Sequence, residues 1–584
     1  MNSFFKIFFA SLLALLVFSL ICFFILMGML SSLASPEKVV VGNKAVLVLD
    51  LNVPFPELAV DNPLASFGGH DQYDIPSVYD VVRLIGAAAK DSAVKGIYIK
   101  CENNNNGFGT SEDIRNALLA FKKSNKFIYA YGDVISQGGY YVSNVADKIY
   151  CNPKGGLDWR GYSMSLFFMK GALEKLEIEP QIFYAGKFKS ATEPFRETKM
   201  TEPNRVQTTE ILNDLYGHFL TQTATARKLD TALLHQYANE NKLQTADAAL
   251  KAGLIDGLKY DDEVKNEIRA LLKIDKYEKL NMLPLGKFAK SVSYKKTGKE
   301  KIALIYAQGD IVDGKGQREM IGSDSYVALV RNARLDKTIK AIVFRINSGG
   351  GSAMASENIW RELSLAREEK PVVISFGDVS ASGGYYLSCN ADSIFAQPNT
   401  ITGSIGVFSI LPNMQKFFNN KLGITFDGVK TAPDADALSV SKPLTESQKR
   451  WLQNDVDSIY ATFTNRVADG RRKSVGYIDS IGQGRIWSGA RALQLGLIDR
   501  IGGLQEAVDC AARMAKLTDY RLREFPEPES FFDKIFGGYQ RNARSAAIED
   551  ELGTEGTKIY QSLKKVKRMI GSAQARLPFE FVIE

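Results

Sequence analysis

Residues 131–153, YGDVISQGGYYVSNVADKIYCNP, align without gaps on residues 376–398, FGDVSASGGYYLSCNADSIFAQP, with twelve of 23 positions identical. The same offset of 245 sets Asp91 on Asp336, Lys95 on Lys340 and Ser111-Glu112 on Ser356-Glu357. Further on, ALKAGLIDGL at 249–258 is similar to ALQLGLIDRI at 492–501. Self-similarity at a fixed spacing marks a repeated structural unit, so the chain carries two copies of one domain. In each copy short β-rich runs alternate with helical ones, as in Lys95–Lys100, Ser111–Lys123, Lys126–Tyr131 and Lys148–Cys151. Ile114, Ala117, Leu118 and Phe121 recur at helical spacing, and Ser111 is a candidate cap. Strand–helix–strand order implies βαβ units with parallel pairing, an α/β class.

The boundaries follow from that alignment. The copies are expected at residues 44–283 and 302–520, joined by a basic, weakly apolar linker at 284–301 (PLGKFAKSVSYKKTGKEK). The tail 521–584 has no assigned role; its run Lys564 to Arg568 reads as a solvated basic face or a contact with anionic lipid. At the other end, residues 7–30 lie in a stretch without a single charge between Lys6 and Glu37. That length exceeds the roughly 20 residues a bilayer-spanning helix needs and the 7–15 apolar residues of a cleaved secretory signal. A single transmembrane anchor is expected, with Lys6 favouring an amino terminus on the cytoplasmic side.

Composition excludes several classes. With 584 residues, 45% hydrophobic and 24% charged, the chain is neither disordered nor collagen-like. A net charge of +7, from 73 basic against 66 acidic residues, does not mark a nucleic-acid binder. Five cysteines without a CxxC pair give neither a disulfide framework nor a zinc site. No metal, nucleotide or other cofactor is called for.

Two glycine-rich segments of the second copy carry chemistry. Asn347-Ser-Gly-Gly-Gly-Ser352 follows the strand-like run Ala341–Ile346 and precedes a helix near Ser356. Consecutive glycines let backbone N–H groups converge on an anion, and without GxxxxGK[ST] or GxGxxG the anion is better read as an oxyanion than as a phosphate. Ser382, in SASGGYY at 380–386, opens a helix from a tight turn, where a hydroxyl is free to act as a nucleophile. The first copy keeps the glycines and tyrosines of this turn but has Gln137 in place of the serine. The only histidines, His70, His218 and His235, lie in the first half and read as packing or surface residues, so lysine is the remaining candidate base. Asn347, Asp378 and Tyr385 read as structural.

NSGGGS, SASGGYY, TITGSIGVF at 400–408 and GKFKSATEPFRE at 186–197 together resemble the signal peptide peptidases of the protease IV type. The resemblance implies tandem Clp protease/crotonase-like ββα superhelix domains and a homotetramer in the bacterial inner membrane, its catalytic body facing the periplasm. It implies cleaved signal peptides as substrates. It assigns Ser382 as nucleophile and Lys189, in the first copy, as general base, with oxyanion donors on Gly383 and on Gly351 or Gly350. Bringing a lysine from about 10.4 to near 7 costs on the order of 5 kcal/mol, within the reach of burial, so the site is expected to be enclosed. Ser190 and Ser404 are candidates to orient the amine, and Lys187 reads as solvated. Where the family usually has proline this chain has Gly349, which leaves the second donor open. Lys430 offers a base within the second copy. Two other readings stay open: a crotonase-like acyl-CoA enzyme on the same fold, and a non-catalytic, membrane-anchored peptide-binding scaffold.

Overall fold

The computed structural model describes residues 2–33, 40–58, 60–61, 74–317, 319–527 and 572–577; His70 and the run Lys564 to Arg568 lie outside them. Asn2–Leu33 is one helix, and its stretch Phe4–Ile25 is long and apolar enough to cross a membrane.

Each copy is built on a largely parallel sheet, as the alternating pattern predicts. In the first the strand order is Gly257–Leu258, Lys148–Leu157, Phe127–Ile135, Val94–Lys100, Ala45–Asp50 and Met282–Pro284, all parallel. In the second, eight-stranded sheet the main path is Ile486–Ser488, Ile401–Gly403, Val372–Ala381, Ile339–Ser348, Glu300–Gln308 and Tyr520–Phe525, with Ser393–Ala396 also parallel to Val372–Ala381 and Arg500–Ile501 parallel to Ser393–Ala396. There only the first pair is antiparallel. Strands buried on both faces read as continuous apolar runs, and Ala303, Leu304, Ile342, Val343, Phe344, Val373 and Ile374 are fully buried. The duplication extends to individual hydrogen bonds. Tyr140 Oη donates to Leu254 O at 2.7 Å and Tyr385 Oη to Leu497 O at 2.8 Å. Arg227 clamps Asp256 as Arg471 clamps Asp499, each through two nitrogens.

Two sequence expectations differ from the structure. The segment read as a linker contains a short helix, Leu285–Ser291, seated by buried Leu285 and Phe288. The second sheet then begins at Glu300 and extends past residue 520, because Tyr520–Phe525 pairs with Glu300–Ile305. Two apolar anchors in seven residues are too few to register as periodicity. The helix expected from Ser111 starts instead at Phe108, with Gly107 in the cap position and no side-chain cap of its own. Its cap comes from the other copy: Asp378 accepts from Thr110 N at 2.8 Å and from Thr110 Oγ1 at 3.1 Å. A Cβ on Gly107 would lie 2.3 Å from the Asp378 side chain, so this approach requires glycine.

The copies are also joined by charge. Arg345 of the second copy, 1% exposed, donates to Glu57 Oε2 at 2.9 Å and reaches Asp113 Oδ2 at 3.4 Å, both carboxylates belonging to the first copy. Its remaining donors meet Ser375 Oγ and Phe376 O. Burial pushes the Asp113 carboxyl up to about 7, against the pull of Arg345.

A third sheet sits where the copies meet. Its order is Met320–Gly322, Asp310–Val312, Gly350–Ser352, Gln574–Arg576, Val407–Asn413 and Glu179–Ala185. Only Glu179–Ala185 comes from the first copy, and it pairs antiparallel with Val407–Asn413 over seven residues. Removing one partner of a buried ion cluster typically costs about 3–5 kcal/mol. Arg345→Ala, which strands Glu57 and Asp113 between the copies, is therefore expected to lower stability by about that amount, measured by denaturant unfolding.

Candidate active site

Ser382 ends the strand Val372–Ala381 and immediately precedes the helix Gly383–Ser388. Its backbone is at φ +54°, ψ −115°, a conformation L-residues rarely adopt. Such strain persists only where the surroundings hold it; here Ser382 N donates to Gly403 O at 2.8 Å and Ser382 O accepts from Tyr386 N at 2.8 Å. In the first copy the same turn is relaxed. Ser136 caps the helix in ordinary extended geometry, accepting from Gly139 N. Gln137, which stands where the second copy has Ser382, accepts from Arg160 N and Gly161 N and donates to Gly161 O, stitching the turn to the following loop.

Lys189 arrives from the first copy along Glu179–Ala185. Beyond this strand the chain turns at Gly186, and a loop of the second copy grips it. Phe188 N donates to Gln483 O at 2.8 Å, and Gly484 passes so close that a Cβ there would lie 2.6–2.7 Å from Lys189 N, Cα and Cβ. From the other side Gln207 Nε2 donates to Phe188 O at 3.0 Å and to Ser190 Oγ at 2.9 Å. The amine, 1% exposed, lies 2.8 Å from Ser382 Oγ, 3.0 Å from Ser404 Oγ and 3.3 Å from Ser404 O. Burial holds its pKa well below that of an ordinary lysine.

The structure thus brings Lys189 and Ser382 together, with Ser404 as the hydroxyl beside the amine. Ser190 faces Gln207. Lys430 lies outside the site: its Nζ donates to Pro433 O at 2.9 Å on an exposed loop. Asp378 reaches the first copy at Thr110, and Asn347 holds it from within the second copy, Asn347 Oδ1 accepting from Val379 N and Asn347 Nδ2 donating to Asp378 Oδ2. His218 contacts Glu112 and Tyr141 in the first copy, away from the serine. Among the described residues no cluster suited to a metal ion occurs.

The glycine cradle lies against the serine turn. A Cβ on Gly350, at φ +99°, would come 2.8 Å from Gly383 N, and one on Gly383 would come 3.2 Å from Gly351 N. Gly350 N itself donates to Ser348 Oγ at 3.1 Å. Sequence reasoning missed Gln207 and Gly484; neither belongs to a recognisable motif, Gln207 standing on the helix Glu202–Arg227 and Gly484 on a loop of the other copy.

Comparison with known proteins identifies the family. The model of the family described as Peptidase family S49 matches twice, at residues 120–275 and 364–518. Protease 4 of Salmonella typhi is 33% identical over 82% of this chain and 78% of its own length. Protease 4 of Haemophilus influenzae is 33% identical over 75% of this chain and 73% of its own. The chloroplastic serine protease SPPA of Arabidopsis thaliana is 31% identical over 77% and 68%. Two family matches, one in each copy, and relatives aligned along most of their length establish that the chain belongs to peptidase family S49, as a duplicated serine peptidase.

Proposed function

We propose that the protein cleaves peptides with Ser382 as nucleophile and Lys189 as general base, through an acyl-enzyme. The observation that carries the reading is the 2.8 Å approach of a buried lysine amine to the hydroxyl of a strained serine. A neutral amine accepts the hydroxyl proton as Oγ attacks the peptide carbonyl, then delivers it to the departing amine, and water releases the acyl group. Gly383 N and Gly351 N are the oxyanion donors; Gly350 N is already engaged by Ser348 Oγ. Desolvation is what makes lysine serviceable here, since a charged amine would have no proton affinity to offer.

The substrates proposed are cleaved signal peptides and other hydrophobic peptides. The protein would be anchored by Phe4–Ile25 in a bacterial inner membrane with its catalytic body in the periplasm, as a homotetramer. The long apolar helix and the bacterial relatives support the membrane setting.

Ser382→Ala and Lys189→Ala are each expected to lower turnover of a hydrophobic fluorogenic peptide by at least about 10²–10⁴-fold, while Lys430→Ala stays near the unmutated rate. Fluorophosphonate labelling is expected to vanish in Ser382→Ala. An active Lys189→Ala with a dead Lys430→Ala would overturn the assignment of the base.

The pH profile follows from burial. The active form holds Lys189 neutral, so kcat/KM is expected to fall as pH drops through the depressed pKa of Lys189 and to be level above it. A limb centred at the ordinary lysine value of about 10.4 would contradict this.

Positioning is tested at Gly484. Its φ of +80° and its approach to Lys189 leave no room for a Cβ. Since a displacement of about 1 Å at a catalytic group costs about 10²-fold, Gly484→Ala is expected to reduce kcat by roughly that factor, with the thermal midpoint measured alongside.

A further inference from the structure

The strands of the first sheet all run parallel, so their amino-terminal ends share one edge, and the chain coming from the apolar helix enters the domain at that edge. Asn281 Nδ2 donates to Val41 O at 2.8 Å, and Lys44 Nζ donates to Lys273 O at 3.0 Å, just before the strand Ala45–Asp50 begins. Six residues separate Leu33, the last of the helix, from Val40, a reach of at most about 25 Å. The edge is therefore tethered close to any membrane that Phe4–Ile25 crosses.

This edge is basic in the first copy and balanced in the second. Residues 90–95, 122–127 and 145–148 carry six lysines against two acidic residues, whereas the aligned 335–340, 367–372 and 390–393 carry four basic against four acidic. Part of the charge has a structural use that both copies share. Lys122 and Lys126 donate to Val145 O and Ala88 O, as Arg367 and Lys370 donate to Asn390 O and Ala333 O. The excess lies elsewhere: Lys90, Lys123 and Lys148 are exposed and stand where the second copy has Leu335, Glu368 and Ser393. Lys95 donates to Ser92 O, while its counterpart Lys340 is paired with Glu300 at 3.7 Å.

The loop beside the entering chain differs in the same sense. Between the helix Asp261–Leu272 and the strand Met282–Pro284 the first copy has nine residues; between the helix Leu504–Met514 and the strand Tyr520–Phe525 the second has five. The longer loop brings exposed Lys273, Lys276 and Lys279 to the edge, with Tyr277 86% exposed and the Lys276 amine 4.7 Å from its ring. A tyrosine held out among lysines suits the boundary between water and lipid headgroups, where an aromatic ring and a cation are both favoured.

We infer that this edge of the first copy is a lipid-facing surface, resting on the anionic headgroups of the membrane that Phe4–Ile25 enters; the inference depends on the membrane-anchored reading above and not on the serine–lysine chemistry. Lysines beside a membrane-spanning helix are drawn to anionic lipid, and the attraction fades within a Debye length of about 10 Å, so it acts only on a surface held close. The short tether supplies that closeness by making the second contact intramolecular. Tyr277 places its ring in the headgroup layer, and the lysines around it meet phosphate. The opposite edge of the sheet, which carries the Gln137 turn, faces away from the bilayer.

The test uses the full chain in lipid nanodiscs of phosphatidylcholine, with and without phosphatidylglycerol, reacted with a water-soluble acetylating reagent and read lysine by lysine by mass spectrometry. With phosphatidylglycerol, Lys123, Lys148, Lys273, Lys276 and Lys279 are each expected to react about fivefold more slowly, and high salt is expected to restore their rates. Lys337 and Lys516, exposed on the matching edge of the second copy, are expected to react alike in both lipids. A Lys273→Glu/Lys276→Glu/Lys279→Glu variant is expected to lose the slowing at Lys123 and Lys148 while hydrolysing a fluorogenic peptide at the unmutated rate, which shows that it is folded. Equal rates in the two lipids, or slowing that Lys337 and Lys516 share, would overturn the inference and leave the anchor standing. A chain that does not co-elute with phosphatidylcholine discs removes the anchor reading; salt-sensitive co-elution with phosphatidylglycerol discs would then still support the lipid-facing surface, and co-elution with neither would overturn both.

Discussion

Everything near the centre of this molecule is arranged so that one lysine amine can be dry. An ammonium removed from water carries a penalty of several kcal/mol unless it is paired, and among the described residues Lys189 Nζ is bonded to two serine hydroxyls and a carbonyl. No carboxylate among the described residues is bonded to it to restore the charge; burial accounts for its depressed pKa. A hydroxyl pair favours the neutral amine, because it both donates to and accepts from a lone-pair nitrogen without adding charge. The third sheet, the Gln483–Gly484 loop and Gln207 are the walls that keep water from this amine.

That requirement explains why two copies of one domain diverged in opposite directions. A strained serine turn and a desolvated lysine both cost stability, and neither is useful without the other. In the second copy the strain at Ser382 is held by Gly403 and by the helix that follows. In the first the same turn has relaxed, and Gln137 spends its amide on three hydrogen bonds to backbone. The first copy contributes instead the strand Glu179–Ala185, which crosses to the other copy's sheet and ends in the lysine loop. Elements without a role in the chemistry stayed alike, as the paired bonds of Tyr140 and Tyr385 show. The interface carrying this split is itself expensive, since Arg345 is buried with Glu57 and Asp113 and must be fully satisfied to be tolerated.

What could be read from sequence follows the same physics. The repeat and its alternation expose the two parallel sheets, because strands buried on both faces must be apolar throughout. Ser382 and the glycine cradle are legible because a tight turn and close backbone approach each demand particular small residues. Lys189 is legible only through the family pattern around KSATEPF; in isolation it is one lysine among many, and the Gln483–Gly484 loop that packs on it lies hundreds of residues away. The cap on Phe108–Lys122 is hidden from sequence for that reason also: Asp378 supplies it from the other copy, whereas the local pattern points to Ser111. Least legible is the strand Gln574–Arg576. Three residues carry no periodicity, and their conformation is dictated by the edges they fill rather than by their own preferences.

The position of those edges bears on how such a site handles unrelated sequences. Gly350–Ser352 on one side and Val407–Asn413 on the other leave a slot one strand wide, and a chain entering it is held chiefly through backbone groups, which every peptide has. Alternate side chains of an extended chain point to opposite faces, so discrimination is confined to every second position. The position over the cradle is the most restrictive, because Gly350, Gly351 and Gly383 come closest there and an occupant has no exposed surface into which it could grow. A slot that grips backbone generally and rejects bulk at one point discriminates among extended chains chiefly by the residue that stands over the cradle.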